Sequence, residues 1–257
     1  GKPDQYCHAY SYDNDNRIIE VKTSTDNTLF NTDAIYEYYP HGPLAKTIYG
    51  NNLQGLDHVY TLQGWLKSMN LVPSAADGKT IEDPGMDGVT AADNTNANVA
   101  TDVYAYGLAY YNSDYLPIGG SAAPMGALTT ANTMLNNTNS LYNGNIAFTT
   151  SYMNTGNTSF NQKIIGNLYQ YDQLNRIRQA NTYKYDAANG YYRGEPKDKT
   201  PFMYDNAYTY DLNGNLLTLQ RYNGNAQRFD NLTYNYDNSR RPTNRLTHVT
   251  MQLIPTS

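Results

Sequence analysis

Cysteine is nearly absent from this chain of 257 residues, which holds only Cys7. A single thiol excludes an internal disulfide framework. His8 beside it is no activating base, because adjacent side chains on a strand point to opposite faces. Large aliphatics are also scarce: Leu, Ile, Val and Phe together number 44, too few for a thick, dry core. Positive charge shows no surplus, with 18 Lys and Arg against 23 Asp and Glu for a net charge of −5. Nothing in that balance would neutralise a phosphate backbone, so nucleic acid is not expected as a partner. No apolar run approaches the ~20 residues of a membrane span, and the N-terminus shows no signal-peptide pattern. Both ends are expected to be cuts through a longer chain, since Ser257 follows a strand-like run with no closing element.

What the chain has instead is tyrosine, 27 residues of it against one Trp and five Phe. Tyrosine buries a large ring but keeps its hydroxyl wet or hydrogen-bonded. Such a composition suits thin, half-solvated layers, and it predicts an extended sheet.

The tyrosines recur in register. Tyr10-Ser11-Tyr12-Asp13 is followed by Arg17-Ile18, and Tyr169-Gln170-Tyr171-Asp172 by Arg176-Ile177. Tyr208-Thr209-Tyr210-Asp211 leads to Gly214-Asn215-Leu216, and Tyr234-Asn235-Tyr236-Asp237 to Arg241. Degenerate copies are Tyr183-Lys184-Tyr185-Asp186, and Tyr36-Glu37-Tyr38-Tyr39 with Gly42 and Leu44. Tyrosines two apart share one face of a strand. The Asp that follows can accept main-chain N–H groups two residues on and so start a turn. Asn175 and Gly214 fall where a tight hairpin needs positive φ. Each copy therefore predicts a β-hairpin. A lone hairpin is barely stable, so the copies should stack into one antiparallel sheet.

The character changes over residues 70–145, between hairpin regions at 1–69 and 146–257. Val72–Gly78 and Asp83–Gly88 are turn-rich, and Thr90–Thr101 is almost wholly Ala, Thr, Asn and Asp. A strand is predicted at Val103–Tyr111 within this stretch, which reads as long loops and inserted strands on the same sheet, so that residues 1–257 form one segment. Helix is scarce; the best candidate, Ala127–Leu135, is short and reads equally well as loop.

These hairpins resemble the YD repeats of bacterial Rhs proteins, relatives of toxin-complex shells and of animal teneurins. Several phrases are similar to Rhs-like proteins of Bacteroidetes: Tyr36–Leu44, Tyr60-Thr61-Leu62-Gln63-Gly64-Trp65-Leu66-Lys67, Tyr110–Tyr115 and Leu141–Ile146. The resemblance covers nearly the whole chain. It implies a strip of β-sheet that spirals into a hollow shell around a C-terminal toxin or other cargo, or that presents an adhesive surface. Its partners would be flanking shell segments and the cargo, and its location secreted or on the bacterial cell surface. The family's shell usually ends near an Asp-Pro-x-Gly motif where some members cleave themselves. Asp83-Pro84-Gly85 lacks that spacing and lies upstream of later repeats, so no protease residue is carried over.

Candidate chemistry is thin. Asp57-His58 and His41 have no nucleophile motif to serve, since Gly119-Gly120-Ser121-Ala122-Ala123 lacks the closing Gly of a nucleophile elbow. Asp13-Asn14-Asp15-Asn16 and Asp211–Asn215 place oxygens at alternate positions, as calcium prefers, yet lack a closing bidentate Glu. Hairpin turns favour the same residues for main-chain reasons. Tyr-rich strands could stack on surface glycans, but paired aromatics also stabilise a sheet by themselves. Trp65 is expected to pack. The sequence therefore predicts an all-β structural element with no catalytic residue, cofactor or metal. Its functional positions are those of the repeat: Tyr10, Tyr12, Asp13, Arg17, Tyr36, Tyr38, Gly42, Gly64, Trp65, Tyr169, Tyr171, Asp172, Arg176, Tyr208, Tyr210, Asp211, Gly214, Tyr234, Tyr236 and Asp237.

Overall fold

The computed structural model describes residues 5–70, 72–73, 81–82, 84–90, 94–111, 114–115, 141–153, 164–186, 190–192, 203–237 and 243–252. The helix candidate at 127–135 and the Gly119–Ala123 stretch lie outside them. Among the described residues the chain is all-β, without helix.

The strands are β1 (Cys7–Tyr12), β2 (Ile18–Ser24), β3 (Asn31–Tyr38), β4 (Leu44–Tyr49), β5 (Gln54–Tyr60), β6 (Leu66–Met69), β7 (Val72–Pro73), β8 (Ile81–Glu82), β9 (Tyr104–Ala109), β10 (Phe148–Met153), β11 (Ile165–Tyr171), β12 (Ile177–Asp186), β13 (Gly190–Tyr192), β14 (Asn206–Tyr210), β15 (Leu216–Tyr222), β16 (Arg228–Tyr236) and β17 (Leu246–Met251). All but β7 and β8 join one open antiparallel sheet, in which order in space follows order in sequence from β1 to β17, with β13 paired to β12 off that path. Of the strands in the 70–145 stretch, β9 takes its place in this sheet, where a strand was expected. The β7–β8 pair does not; it forms a two-stranded sheet of its own, a departure from the expectation that every inserted strand lies on the main sheet.

Two compact units divide the chain. The first comprises Gly1–Gly107, Asp114–Gly126 and Ser151–Thr158, and the second Leu108–Ser113, Ala127–Thr150 and Ser159–Ser257. The division passes within β9 and β10, each of which serves both units.

Burial alternates along the strands as a two-residue period requires, but small and polar residues take the inner face. Strand β5 buries Gly55, Asp57 and Val59, while β9 buries Ala105, Gly107 and Ala109 and leaves Tyr104 and Tyr106 on the wetter face. Strand β11 likewise buries Gly166 and Leu168 and leaves Tyr169 and Tyr171 half-buried. The apolar core of the first unit is Ala34, Ile48, Val59, Val99, Ala105 and Tyr152. In the second unit Ala109, Tyr110, Ala147, Phe148, Ile164, Leu168, Ala180 and Met203 take that role. Most of β15 and β16 is half-buried and all of β17 exposed. This is the thin layer that a tyrosine-rich, aliphatic-poor chain can build.

Candidate functional site

The repeat turns share one construction. In the first, Asn16 N–H donates to Asp13 O and Asp13 N–H to Arg17 O, at 3.1 and 3.0 Å. Asn16 adopts the left-handed conformation at φ 59°, and the register slips by one residue between Ser11 and Tyr12. This is a hairpin whose turn ends in a left-handed bulge residue. The same two bonds close the turns at Tyr39–Pro43, Thr61–Trp65, Asp172–Arg176 and Asp211–Asn215. Gly42, Gly64, Asn175 and Gly214 supply the positive φ, at 117°, 82°, 61° and 91°.

The Asp of the motif braces its own turn. Asp13 Oδ1 accepts the N–H groups of Asp15 and Arg17, both at 2.9 Å, and Oδ2 takes Arg17 Nε at 2.7 Å. Asp172 does the same with Leu174 and Arg176, and Asp211 with Asn213 and Asn215. Hydrogen bonds to the ionised form hold all three carboxyls below their ordinary pKa. The main cause is the Arg17 and Arg176 main-chain N–H for the first two and the Asn215 side chain for Asp211. The alternating Asp and Asn residues of these turns thus have a main-chain role, with the carboxylate oxygens bracing the turn.

The second tyrosine of the motif reaches the preceding hairpin. Tyr38 Oη donates to Ile18 O, Tyr171 to Ile146 O and Tyr210 to Ile177 O, each at 2.8 Å, and Tyr236 to Leu216 O at 2.9 Å. The acceptors Ile18, Ile177 and Leu216 each follow directly on a turn's closing Arg or Asn, and Ile146 follows on Asn145. That closing residue reaches forward in return. The Arg17 guanidinium lies 4.6 Å from the centre of the Tyr38 ring, and that of Arg176 4.8 Å from the Tyr210 ring. Arg176 Nη1 also donates to Asp211 O at 2.8 Å. Asn takes over where Arg is missing: Asn143 and Asn145 bond Asn175 Oδ1, and Asn215 bonds Asn244 Oδ1. The motif is therefore a lock between successive hairpins as well as a turn former. Burial of the rings raises the Tyr171, Tyr208 and Tyr210 hydroxyls above the ordinary tyrosine pKa.

The remaining motif tyrosines stay on their strands without such a reach. Tyr169 pairs with Thr149 at 3.2 Å. Tyr36 is half-buried on β3, as is Tyr234 on β16. Tyr10 and Tyr12 are exposed on the outermost strand, β1.

Three further features come from the structure. Arg241 lies outside the described residues; Asp237 N–H donates to Arg245 O at 3.0 Å, and the Arg245 guanidinium pairs with the Asp237 carboxylate at 2.7 Å. The Tyr60–Lys67 phrase is itself a repeat turn, with Thr61 Oγ1 accepting Trp65 N–H at 3.1 Å and Trp65 in the Arg position. A further copy without a Tyr-x-Tyr-Asp signature closes at Asn223–Gln227 between β15 and β16, with Asn223 in the Asp role and Ala226 at φ 59°. The Asn-x-Asn-x-Gln spacing is the signal that could have found it.

The histidines and the degenerate copy are placed plainly. His41 sits in the Tyr39–Pro43 turn and stacks on Tyr39 at 5.4 Å. His58 lies on β5 next to Asp57, whose carboxylate is turned to Lys46 at 2.8 Å. Burial lowers the His58 pKa. Tyr183–Asp186 ends β12 where it pairs with β13.

Polar groups buried in the first unit escaped sequence reasoning altogether. Lys46 Nζ contacts Asp57 Oδ2 at 2.8 Å and Asp87 Oδ1 at 2.7 Å. Lys67 Nζ contacts Asp114 Oδ1 at 2.6 Å, and burial lowers its pKa despite that carboxylate. Asn70, left-handed at φ 55°, accepts Asp57 N–H and donates to Asp102. These bonds pin Asp87, Asp102 and Asp114 to the sheet.

No protein-family model matches the chain, and no curated protein does. Solved structures do. A crystal structure of TcdB2–TccC3 is similar over 98% of this chain and 11% of its own, at 11% identity and TM-score 0.42. The TcdB2–TccC3–Cdc42 crystal structure matches 90% of this chain, at 11% identity and TM-score 0.40. The Photorhabdus luminescens Tc holotoxin pore, with a mutated TccC3, matches 98% of this chain at 11% identity and TM-score 0.40. The chain spans about a tenth of the length of these neighbours.

Proposed function

We propose that this chain is a non-enzymatic wall segment of a secreted or surface-exposed Rhs-like protein, whose hairpins line a shell around a C-terminal toxin or cargo. The observation that supports this reading is the lock between successive hairpins. Tyrosine hydroxyl to carbonyl, with Arg laid over the ring, is a device for extending a sheet one hairpin at a time. Such a sheet has no natural end, and it suits a wall. Its edge strands β1 and β17 fit further hairpins of the same motif, because edges with unpaired N–H and C=O groups recruit strands. Among the described residues no helix is long and apolar enough to cross a membrane.

Limited proteolysis of the complete gene product tests the proposal. The region beyond residue 257 should resist protease in the wild type and become sensitive when Arg176 and Tyr210 are both replaced by Ala. Equal sensitivity in the two proteins would defeat it.

One observation favours an adhesive role. Tyr6, just before β1, and His8 and Tyr10 on β1 form an exposed row with successive ring centres 6.2 Å apart, a platform on which a sugar ring could stack. Glycan binding that Tyr10→Ala abolishes would establish it.

A further inference from the structure

The cluster of Lys46, Asp57 and Asp87 has no part in the hairpin lock. Its three side chains are 4%, 11% and 0% exposed, on β4, on β5 and in the Pro84–Thr90 stretch. Lys46 and Asp57 are direct cross-strand partners, whereas Asp87 arrives from 41 residues away.

Two glycines keep the space open. A Cβ on Gly55 would stand 1.9 Å from Asp87 Oδ2 and 3.0 Å from Lys46 Nζ. One on Gly85 would stand 2.1 Å from Asp57 Oδ2 and 2.6 Å from Lys46 Nζ. Any side chain at either position would push the amine and the carboxylates apart. Three ionisable groups held together out of water are a poor stabilising device, since apolar replacements of buried ion pairs are often as stable or more so. They are a good reactive one, because proximity of an amine and a carboxyl replaces an encounter in solution.

We propose that Lys46 and Asp87 condense to an intramolecular isopeptide bond, with Asp57 relaying the protons. The Lys46 nitrogen attacks Asp87 Cγ, the Nζ–Cγ bond forms and one Cγ–O bond breaks. That oxygen leaves as water with two protons from the ammonium. An ammonium and a carboxylate become a neutral amide, and no oxidant or cofactor is needed. Asp87 is the acceptor because it is fully enclosed. Asp57, the more exposed carboxylate, can exchange protons with solvent. Burial disfavours the charged amine, but its hydrogen bonds to both carboxylates, with their negative charge, outweigh that effect and hold the Lys46 pKa above its usual value. The nitrogen must therefore hand a proton to Asp57 before it can attack, as in general-base catalysis. The bond would close a long loop and tie the Pro84–Thr90 stretch covalently to the sheet.

Intact-mass spectrometry of the purified, folded chain tests this. The expected mass is lower than the sequence mass by one water. Trypsin should fail to cut after Lys46, and a branched peptide should join Lys46 to Asp87. Asp57→Ala should fold, shown by an unchanged β-sheet circular dichroism spectrum, and keep the full mass. A wild-type chain at full mass, a branch to Asp57 in place of Asp87, or an Asp57→Ala chain that still loses water would each overturn the proposal.

Discussion

Tyr210 Oη donates a hydrogen bond to the main-chain carbonyl of Ile177 at 2.8 Å, while the Arg176 guanidinium covers the same tyrosine ring. Two neighbouring residues of one hairpin thus hold both ends of one side chain from the next. Hydroxyl and ring can be separated by mutation.

Tyr210→Phe keeps the ring under Arg176 and leaves the Ile177 carbonyl without its partner. The loss should be about 1 kcal/mol, the ordinary net value of such a bond. Tyr12 occupies the equivalent position on β1 but is 55% exposed, and among the described residues its hydroxyl has no partner. Tyr12→Phe should change stability by less than about 0.5 kcal/mol, as surface substitutions do. Urea denaturation of both variants checks the contrast; equal losses would contradict the lock.

Arg176→Lys should be far from conservative. The guanidinium bonds Asp172 through Nε and Asp211 O through Nη1 while lying on Tyr210. An ammonium cannot hold that planar, forked arrangement. A loss of about 1–2 kcal/mol in the same urea assay is expected from the lost charge-assisted bonds.

The hairpins were legible in the sequence because their cause is local. Asp172, Asn175 and Arg176 lie within five positions, so turn chemistry, positive φ and ion pair could be anticipated from spacing alone. Asn175 and Gly214 do carry positive φ. The lock was hidden because Tyr210 and Ile177 are 33 residues apart, and nothing local says which hairpin follows which. Lys46 and Asp87 were hidden for the same reason. Their partnership appears only when β4, β5 and a later loop meet. Arg245 was not singled out because it stands 8 positions after its partner Asp237, where Arg17 and Arg176 stand 4 after theirs.

Stability should narrow at both ends of the pH scale. The folded-state pKa values of Asp13, Asp172 and Asp211 lie below 3.8. Their contribution is therefore complete above the unfolded value and lost as pH falls through the folded one. Tyr171, Tyr208 and Tyr210 are raised above 10. Theirs is complete below pH 10 and lost as pH rises through the folded values. Urea midpoints measured across the range should form a plateau that falls off on both sides. Asp172→Asn should flatten the acid limb, and an unchanged acid limb would count against the role given to these carboxylates.

One substitution should stabilise the protein where most destabilise. Ala226 closes the Asn223–Gln227 turn at φ 59°, where Gly42, Gly64 and Gly214 stand in the equivalent positions of other turns. A Cβ in the left-handed region crowds the following carbonyl and costs roughly 1–2 kcal/mol. Glycine removes that strain but has more freedom to lose from the unfolded chain, at about 0.5–1 kcal/mol. Ala226→Gly should therefore stabilise the protein by up to about 1.5 kcal/mol, the largest difference between those terms. Ala226→Asn, matching Asn16 and Asn175, should also stabilise, because Asn tolerates this conformation better than Ala. A β-branched residue tests the same geometry from the other side, and Ala226→Val should destabilise. Urea midpoints for the three variants, ordered Gly and Asn above wild type and Val below, would show that this turn is built like the tyrosine-marked ones. A Gly variant less stable than wild type would mean that the turn does not hold Ala226 in the left-handed conformation in solution.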